Sequence, residues 1–163
     1  MSEEVDTNAA DFIRDYIDLE EQTQPNGVEL TLAWVERFLE AGKLAFDNSE
    51  RVLPRTERLE FDSEGWIWLP QSSYKIGFNE FVTIPEDRFA IARPRSSLLR
   101  MGVSVGTALW DSGFRGKGEA ILCVHNPHGF WVRKNARVVQ LVFFKLPTRA
   151  HKLYEGQYKD RTW

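Results

Sequence analysis

The chain has 163 residues, 42% of them hydrophobic and 28% charged, and a formal net charge of −3. That length fills one well-buried domain, so a single unit spanning residues 1–163 is expected. The acidic balance without a basic stripe argues against a nucleic-acid binder, the single Cys123 excludes an intrachain disulfide and a multi-cysteine zinc site, and the lack of a long apolar run argues against a membrane span. A soluble, untargeted cytoplasmic protein is the expectation.

Residues 1–22 read as a helical segment. Thr7 or Asn8 can cap it, Asp11 stands at a capping-box position, and Phe12, Ile13, Tyr16 and Ile17 fall on one stripe. After the turn Gln24-Pro25-Asn26-Gly27, the alternation of Val28, Leu30 and Leu32 predicts a strand with one buried face, Glu29 and Thr31 pointing the other way. Trp34 to Leu39 fits neither the helical nor the strand period, and both remain open for it. From Arg51 onward short strands alternate with turns: Arg58–Phe61, Trp66–Leu69, Ser73–Phe78, Glu80–Ile84 and Ala90–Ala92. A short helix follows at Leu98–Met101, ended by Gly102 and capped by Ser96 or Ser97. Strands resume at Glu119–Val124, Gly129–Val132 and Arg137–Leu146, and residues 148–163 read as a polar, aromatic C-terminal arm that must dock or fray. Many short strands in one domain predict a mainly β protein, a sandwich or distorted jelly roll with one or two short helices.

The residues from Arg93 to Gly116 combine cations, hydroxyls and a carboxylate. Arg95, Ser96 and Ser97 at a helix start suit an anion, because a guanidinium forks onto phosphate oxygens while hydroxyls take the rest; a plain capped turn explains the same residues. Asp111, in the turn Trp110-Asp111-Ser112-Gly113, is either a turn-capping residue or a base that activates water beside a phosphate. Phe114 is either core or a face for a sugar, and Gln140, an amide within an apolar strand, either braces backbone or meets a ligand. His125 and His128 lack a third ligand at zinc spacing, and Cys123 reads as a small buried hydrophobe.

In order, four segments resemble the motifs of the trimeric dUTPase and dCTP deaminase superfamily, on its archaeal-type dUTPase branch, and the likeness runs from about Gln24 to about Tyr158. Gln24-Pro25-Asn26-Gly27-Val28-Glu29-Leu30 is similar to the first, with Glu29 in place of the usual aspartate. Pro94-Arg95-Ser96-Ser97-Leu98 matches the second, a phosphate loop. Trp110-Asp111-Ser112-Gly113-Phe114-Arg115-Gly116 resembles the third, and Arg137-Val138-Val139-Gln140-Leu141-Val142 the fourth. The resemblance implies a β jelly roll and a homotrimer with sites shared between subunits. It implies Mg²⁺ on the triphosphate of a deoxynucleotide substrate, with no metal ligands from the protein. It assigns Asp111 to water activation, Arg95, Ser96, Ser97 and Gln140 to the phosphates, and Phe114, Thr107 and Ala108 to sugar and base, with Glu29 as the acid of the first motif.

Two activities compete within that superfamily. Deaminases carry a catalytic Glu in a strand reading L-E-x-x-N, and here Leu122-Cys123-Val124-His125-Asn126 puts Cys123 at the Glu position. A thiol in an apolar strand cannot shuttle those protons, so hydrolysis of dUTP to dUMP and pyrophosphate is the expectation. A dCTP deaminase or bifunctional enzyme, using Glu119 from elsewhere on the strand, is the alternative, and a nucleotide-binding regulator without turnover is the third.

Overall fold

The computed structural model describes residues 9–163. Eleven strands dominate them, with two short α-helices. The organising strand is β3 (Gly27–Phe38), which pairs with different partners along its length. Val28 to Thr31 lie against β11 (Arg137–Lys145), whereas Leu32 to Arg37 lie against β6 (Ser73–Thr83), and Val35 to Phe38 pair with β4 (Thr56–Leu59). Register shifts in the pairing with β6 between Leu32 and Trp34, and such an irregularity lets a strand bend as it passes from one set of neighbours to the next. The resulting path runs β7 (Arg88–Pro94), β11, β3, β6, β9 (Arg115–Val124) and β8 (Val103–Gly106), every pair antiparallel. A separate two-stranded ribbon joins β5 (Trp66–Leu69) to β10 (Phe130–Arg133). This is the mainly β architecture that the density of short strands predicts.

The core lies between the two halves of that bent sheet. Val28, Leu30, Leu32, Val35, Leu69, Ile76, Phe78, Leu122, Leu141 and Phe143 are fully excluded from solvent within it. Burying side chains of this size stabilises by about 1.5–3 kcal/mol each before entropy is charged against it.

Several local expectations need correction. The N-terminal stripe does not make a helix: Ala9–Phe12 is a single 3₁₀ turn, and β1 (Ile13–Arg14) then pairs with β6. Adding a strand to β6 buries Ile13, while Ile17 stays half exposed, so the edge of the sheet overrides the helical spacing. The proposed caps Thr7 and Asn8 lie outside the described residues. A turn of helix does form later, at α1 (Leu19–Gln22), with Asp18 accepting from the Glu21 N–H. Glu29 and Thr31 do not face solvent; both are buried, because β3 is covered on both sides. Trp34 to Phe38 is strand, the continuation of β3. The break expected between the strands Ser73–Phe78 and Glu80–Ile84 is instead a register shift against β9, between Gly77 and Phe81, and β6 runs through it without interruption. Cys123 is half-buried, its Sγ 3.4 Å from Ser73 Oγ, not a core thiol.

Candidate active site

Helix α2 (Ser96–Arg100) begins two residues earlier than the expected start at Leu98, so neither serine is its cap. Arg95 occupies the cap position with extended backbone and makes no capping side-chain bond, which leaves Ser96 and Ser97 exposed inside the first turn. Below them, Arg95 Nε lies 2.6 Å from Glu29 Oε1 and Arg137 Nη1 lies 3.2 Å from Glu29 Oε2. Glu29 is only 5% exposed, so one buried carboxylate holds two guanidiniums side by side at the surface. The second contact is a close charge pair and not an aligned hydrogen bond, since Oε2 has no hydrogen-bond partner. Gln140, opposite Glu29 in the β3–β11 pairing, donates its amide to Asn26 O at 3.1 Å and so braces the turn before β3. Arg95, Ser97 and Arg137 line a cleft of about 180 Å³ whose other wall includes Leu98, Met101 and Trp131.

Asp111 stands elsewhere, at a cavity of about 340 Å³ formed by the turn after β8, by β9 and by the C-terminal arm. The turn is fixed at both ends: Ile84 N–H donates to Phe114 O at 2.7 Å, Gly113 N–H donates to Ile84 O at 3.0 Å, and buried Ser112 donates to Arg88 O at 2.6 Å. Gly113 has φ +82°, a conformation that glycine adopts without the penalty of a Cβ. Asp111 itself is exposed, and among the described residues no protein donor reaches its carboxylate. Phe114 lines the same cavity, edge to face with Trp110 at 5.3 Å and with Tyr154 at 5.4 Å, so it belongs to the core and to the cavity wall at once. Thr107 and Ala108 line the same cavity. Gly118 lets Trp110 lie flat on β9; a Cβ there would collide with the indole ring.

The candidate residues therefore fall into two groups. Asp111, Phe114, Thr107 and Ala108 share the larger cavity, Arg95 and Ser97 line the cleft, and no residue lines both. Glu29 pairs with Arg95 of the second group, whereas Gln140 lines neither pocket and is bonded to Asn26 O.

Three cavity residues escaped the sequence reading as members of this site. Lys117 and Arg161 belong to no sequence motif, and Glu119 reads from sequence only as a substitute proton carrier. Lys117 and Glu119 alternate along β9 on the face toward the cavity, a period-2 signal visible once that strand is placed. Arg161 arrives with the arm, which docks rather than frays. Tyr154 N–H donates to Ser112 O at 2.8 Å, Asp160 N–H to Arg115 O at 2.7 Å and Lys117 N–H to Arg161 O at 2.8 Å. Trp163 ends the arm, its indole N–H on Phe78 O at 3.1 Å and its ring 5.2 Å from Trp34. Arg161 Nη1 then bonds Glu119 Oε2 at 2.9 Å.

The described residues form a bent antiparallel β domain with a paired-guanidinium cleft and a carboxylate-bearing aromatic cavity. The chain belongs to the dCTP deaminase-like family, whose model matches residues 2–146. It is 49% identical over 149 residues to a protein of Methanosarcina mazei named probable deoxyuridine 5'-triphosphate nucleotidohydrolase, covering 91% of this chain and 87% of that one. A protein of the same name from Archaeoglobus fulgidus is 49% identical over 150 residues, with 91% and 86% covered. The relative of that name from Aeropyrum pernix is 38% identical over 136 residues, with 83% and 84% covered. The crystal structure of 2'-deoxycytidine 5'-triphosphate deaminase from Agrobacterium tumefaciens superposes with a TM-score of 0.62 at 21% identity, covering 84% of this chain and 44% of that one. That likeness is one of fold.

Proposed function

We propose that this protein hydrolyses dUTP to dUMP and pyrophosphate. The observation that carries the reading is Asp111: an exposed carboxylate, unengaged by protein donors among the described residues, at the mouth of a cavity floored by Phe114. In the reaction, a water oxygen bonds to the α-phosphorus, Asp111 takes its proton, and pyrophosphate leaves. Phe114 offers its ring to the deoxyribose, and the turn carrying Thr107 and Ala108 borders the base. Arg95, with Ser96 and Ser97 exposed beside it, neutralises and orients the phosphates, and Glu29 keeps the guanidinium aimed. The names of the archaeal relatives support dUTP as substrate.

Among the described residues no group of three or more His, Cys, Asp or Glu is placed to hold a metal ion. Mg²⁺ is assigned to the triphosphate, whose own oxygens would supply ligands, and no step is routed through protein ligands. Because Asp111 and Arg95 line different cavities, the reading includes a homotrimer in which one subunit's Asp111 meets a neighbour's Arg95.

A second reading, deamination of dCTP, draws on Glu119, which lines the same cavity as Asp111, whereas Cys123 does not line it. One experiment separates them: purified protein with Mg²⁺ and dUTP or dCTP, following pyrophosphate and ammonia independently. Pyrophosphate from dUTP without ammonia from dCTP is expected. Asp111→Asn should then keep nucleotide affinity and lose turnover by about 10²–10⁴-fold, the range for removal of a general base. Near-normal hydrolysis in that variant would sink the mechanism, and saturable binding without any product would make the protein a regulator.

A further inference from the structure

Glu119 is a carboxylate that the hydrolytic chemistry does not use, placed in the wall of the cavity that does. It lies on β9, eight residues beyond Asp111, with its side chain 20% exposed. Its Oε2 accepts from Arg161 Nη1 at 2.9 Å. Its Oε1 is shielded from solvent and has no aligned donor; Lys75 Nζ stands 3.7 Å away and is itself engaged by Glu36 at 2.8 Å. A carboxylate offers about four acceptor directions, and one is filled here. Oε1 has no surface open to the cavity, so the acceptor direction that a ligand can meet is the remaining one on Oε2, within the exposed fifth of the side chain.

Two cations share the lining with this carboxylate. Lys117 precedes Glu119 by two residues on the same face of the strand, and Arg161 comes from the arm. The rest of the wall near them is flat and largely apolar: Trp110, Phe114, Leu109 and Tyr154. The cavity thus presents a donor, an acceptor and a donor beside aromatic surface. Uracil presents the complement along one edge, carbonyl O4, the N3 proton and carbonyl O2. Cytosine presents an amino group, a bare N3 and O2, which sets a donor against a donor and a lone pair against the carboxylate.

We propose that Glu119 is the base-specificity residue of this cavity, accepting the N3 proton of uracil while Lys117 and Arg161 donate to the flanking carbonyls. The inference rests on the reading that the cavity takes a pyrimidine deoxynucleotide. It assigns the carboxylate a binding role in place of the proton shuttle that deamination would require.

The test uses the full chain and product nucleotides, so that it does not depend on turnover. Calorimetric titration of the wild type with dUMP and dCMP should give a uracil preference of about 100-fold or more, as for sites built to pair a polar edge. In Glu119→Gln the amide can donate as well as accept, and the preference should fall below about tenfold through weaker dUMP binding. Arg161→Gln, a change in the docked arm outside the core, removes the donor that the proposal sets against O4, the carbonyl cytosine lacks, and should weaken dUMP by about tenfold while leaving dCMP unchanged; it serves where Glu119→Gln does not fold. An unchanged uracil preference in either folded variant overturns the inference while pyrophosphate release from dUTP leaves the hydrolytic reading standing. Uracil preference lost in the variants of a protein that releases no pyrophosphate supports the inference and overturns hydrolysis. Ammonia release from dCTP that disappears in Glu119→Gln with the binding preference intact makes Glu119 a proton carrier and overturns the proposal.

Discussion

Glu29 shows how much one residue can be asked to do in this site. It is buried, faces two guanidiniums, and lies opposite Gln140 across the β3–β11 pairing. Removing it leaves Arg95 without a counter-charge and Arg137 with only Glu21, 3.4 Å from its Nη1, and because each guanidinium is about one-third exposed, water relieves part of the repulsion. Glu29→Ala should destabilise by about 3 kcal/mol, the lower end of what breaking a buried pair costs. By contrast, the Arg37–Glu57 pair is roughly half exposed on both sides, and Arg37→Ala should change stability by less than about 1 kcal/mol. Urea unfolding of the two variants under one set of conditions measures the difference. Equal shifts would mean that the buried carboxylate is no keystone of the cleft. The aspartate usual at this position in the motif is one methylene shorter, and the reach to two arginines is a physical reason for Glu here.

At the scale of elements, the strands β4, β3, β6 and β9 are laced by charges that end at the cavity. Glu36 on β3 accepts from Arg58 and Thr56 on β4 and pairs with Lys75 on β6, and Lys75 approaches Glu119 on β9. Burial pushes the Glu36 carboxyl up, but hydrogen bonds from Lys75, Thr56 and Arg58 outweigh it and hold the pKa down at about 2. Its contribution to stability is therefore complete above the ordinary value of 4.5 and is lost as pH falls toward about 2. Glu80 has the opposite sign. Desolvation raises its pKa despite hydrogen bonds from Thr31 and Gln22, so its contribution is full below the ordinary value and lost as pH rises through the raised one. Glu36→Gln should accordingly be less stable than the wild type at neutral pH, with the gap closing between about pH 4.5 and pH 2. A gap that stays constant over that range, read from thermal midpoints, would rule Glu36 out as the acid-sensitive group. The same strands mark what could be read in advance. β5, β10 and β11 were legible because alternation and turn residues coincide at their ends. β6 was not: Gly77 and Asn79 signal a turn and a bulge equally well, and only the register against β9 decides. The N-terminal stripe misled for a related reason, since a strand edge on β6 took Ile13 before a helix could use it. Asp111 and Phe114 could be found from their glycine-bounded turn, whereas Lys117, Glu119 and Arg161 become one site only when the arm is docked.

For the whole molecule, the decisive feature is that the cleft of Arg95 and the cavity of Asp111 have no lining residue in common. Ordered motifs along a sequence carry no information about whether their side chains meet in one chain or across two. If Asp111 activates the water and Arg95 holds the phosphates, as proposed, two pockets without a shared lining residue call for a second copy to supply one of the two. This makes a prediction that activity measurements on mixtures can test. Asp111→Asn chains lack the base but keep the guanidinium, and Arg95→Ala chains lack the guanidinium but keep the base. Alone, each should be nearly inactive. Dissociated, mixed in equal amounts and reassembled, they should recover about one quarter of wild-type turnover, because each site draws its two halves independently from the pool and one combination in four is intact. Recovery fixed at the level of the separate variants, with mixed assembly verified by differently tagged chains, would mean that base and cation act within one subunit.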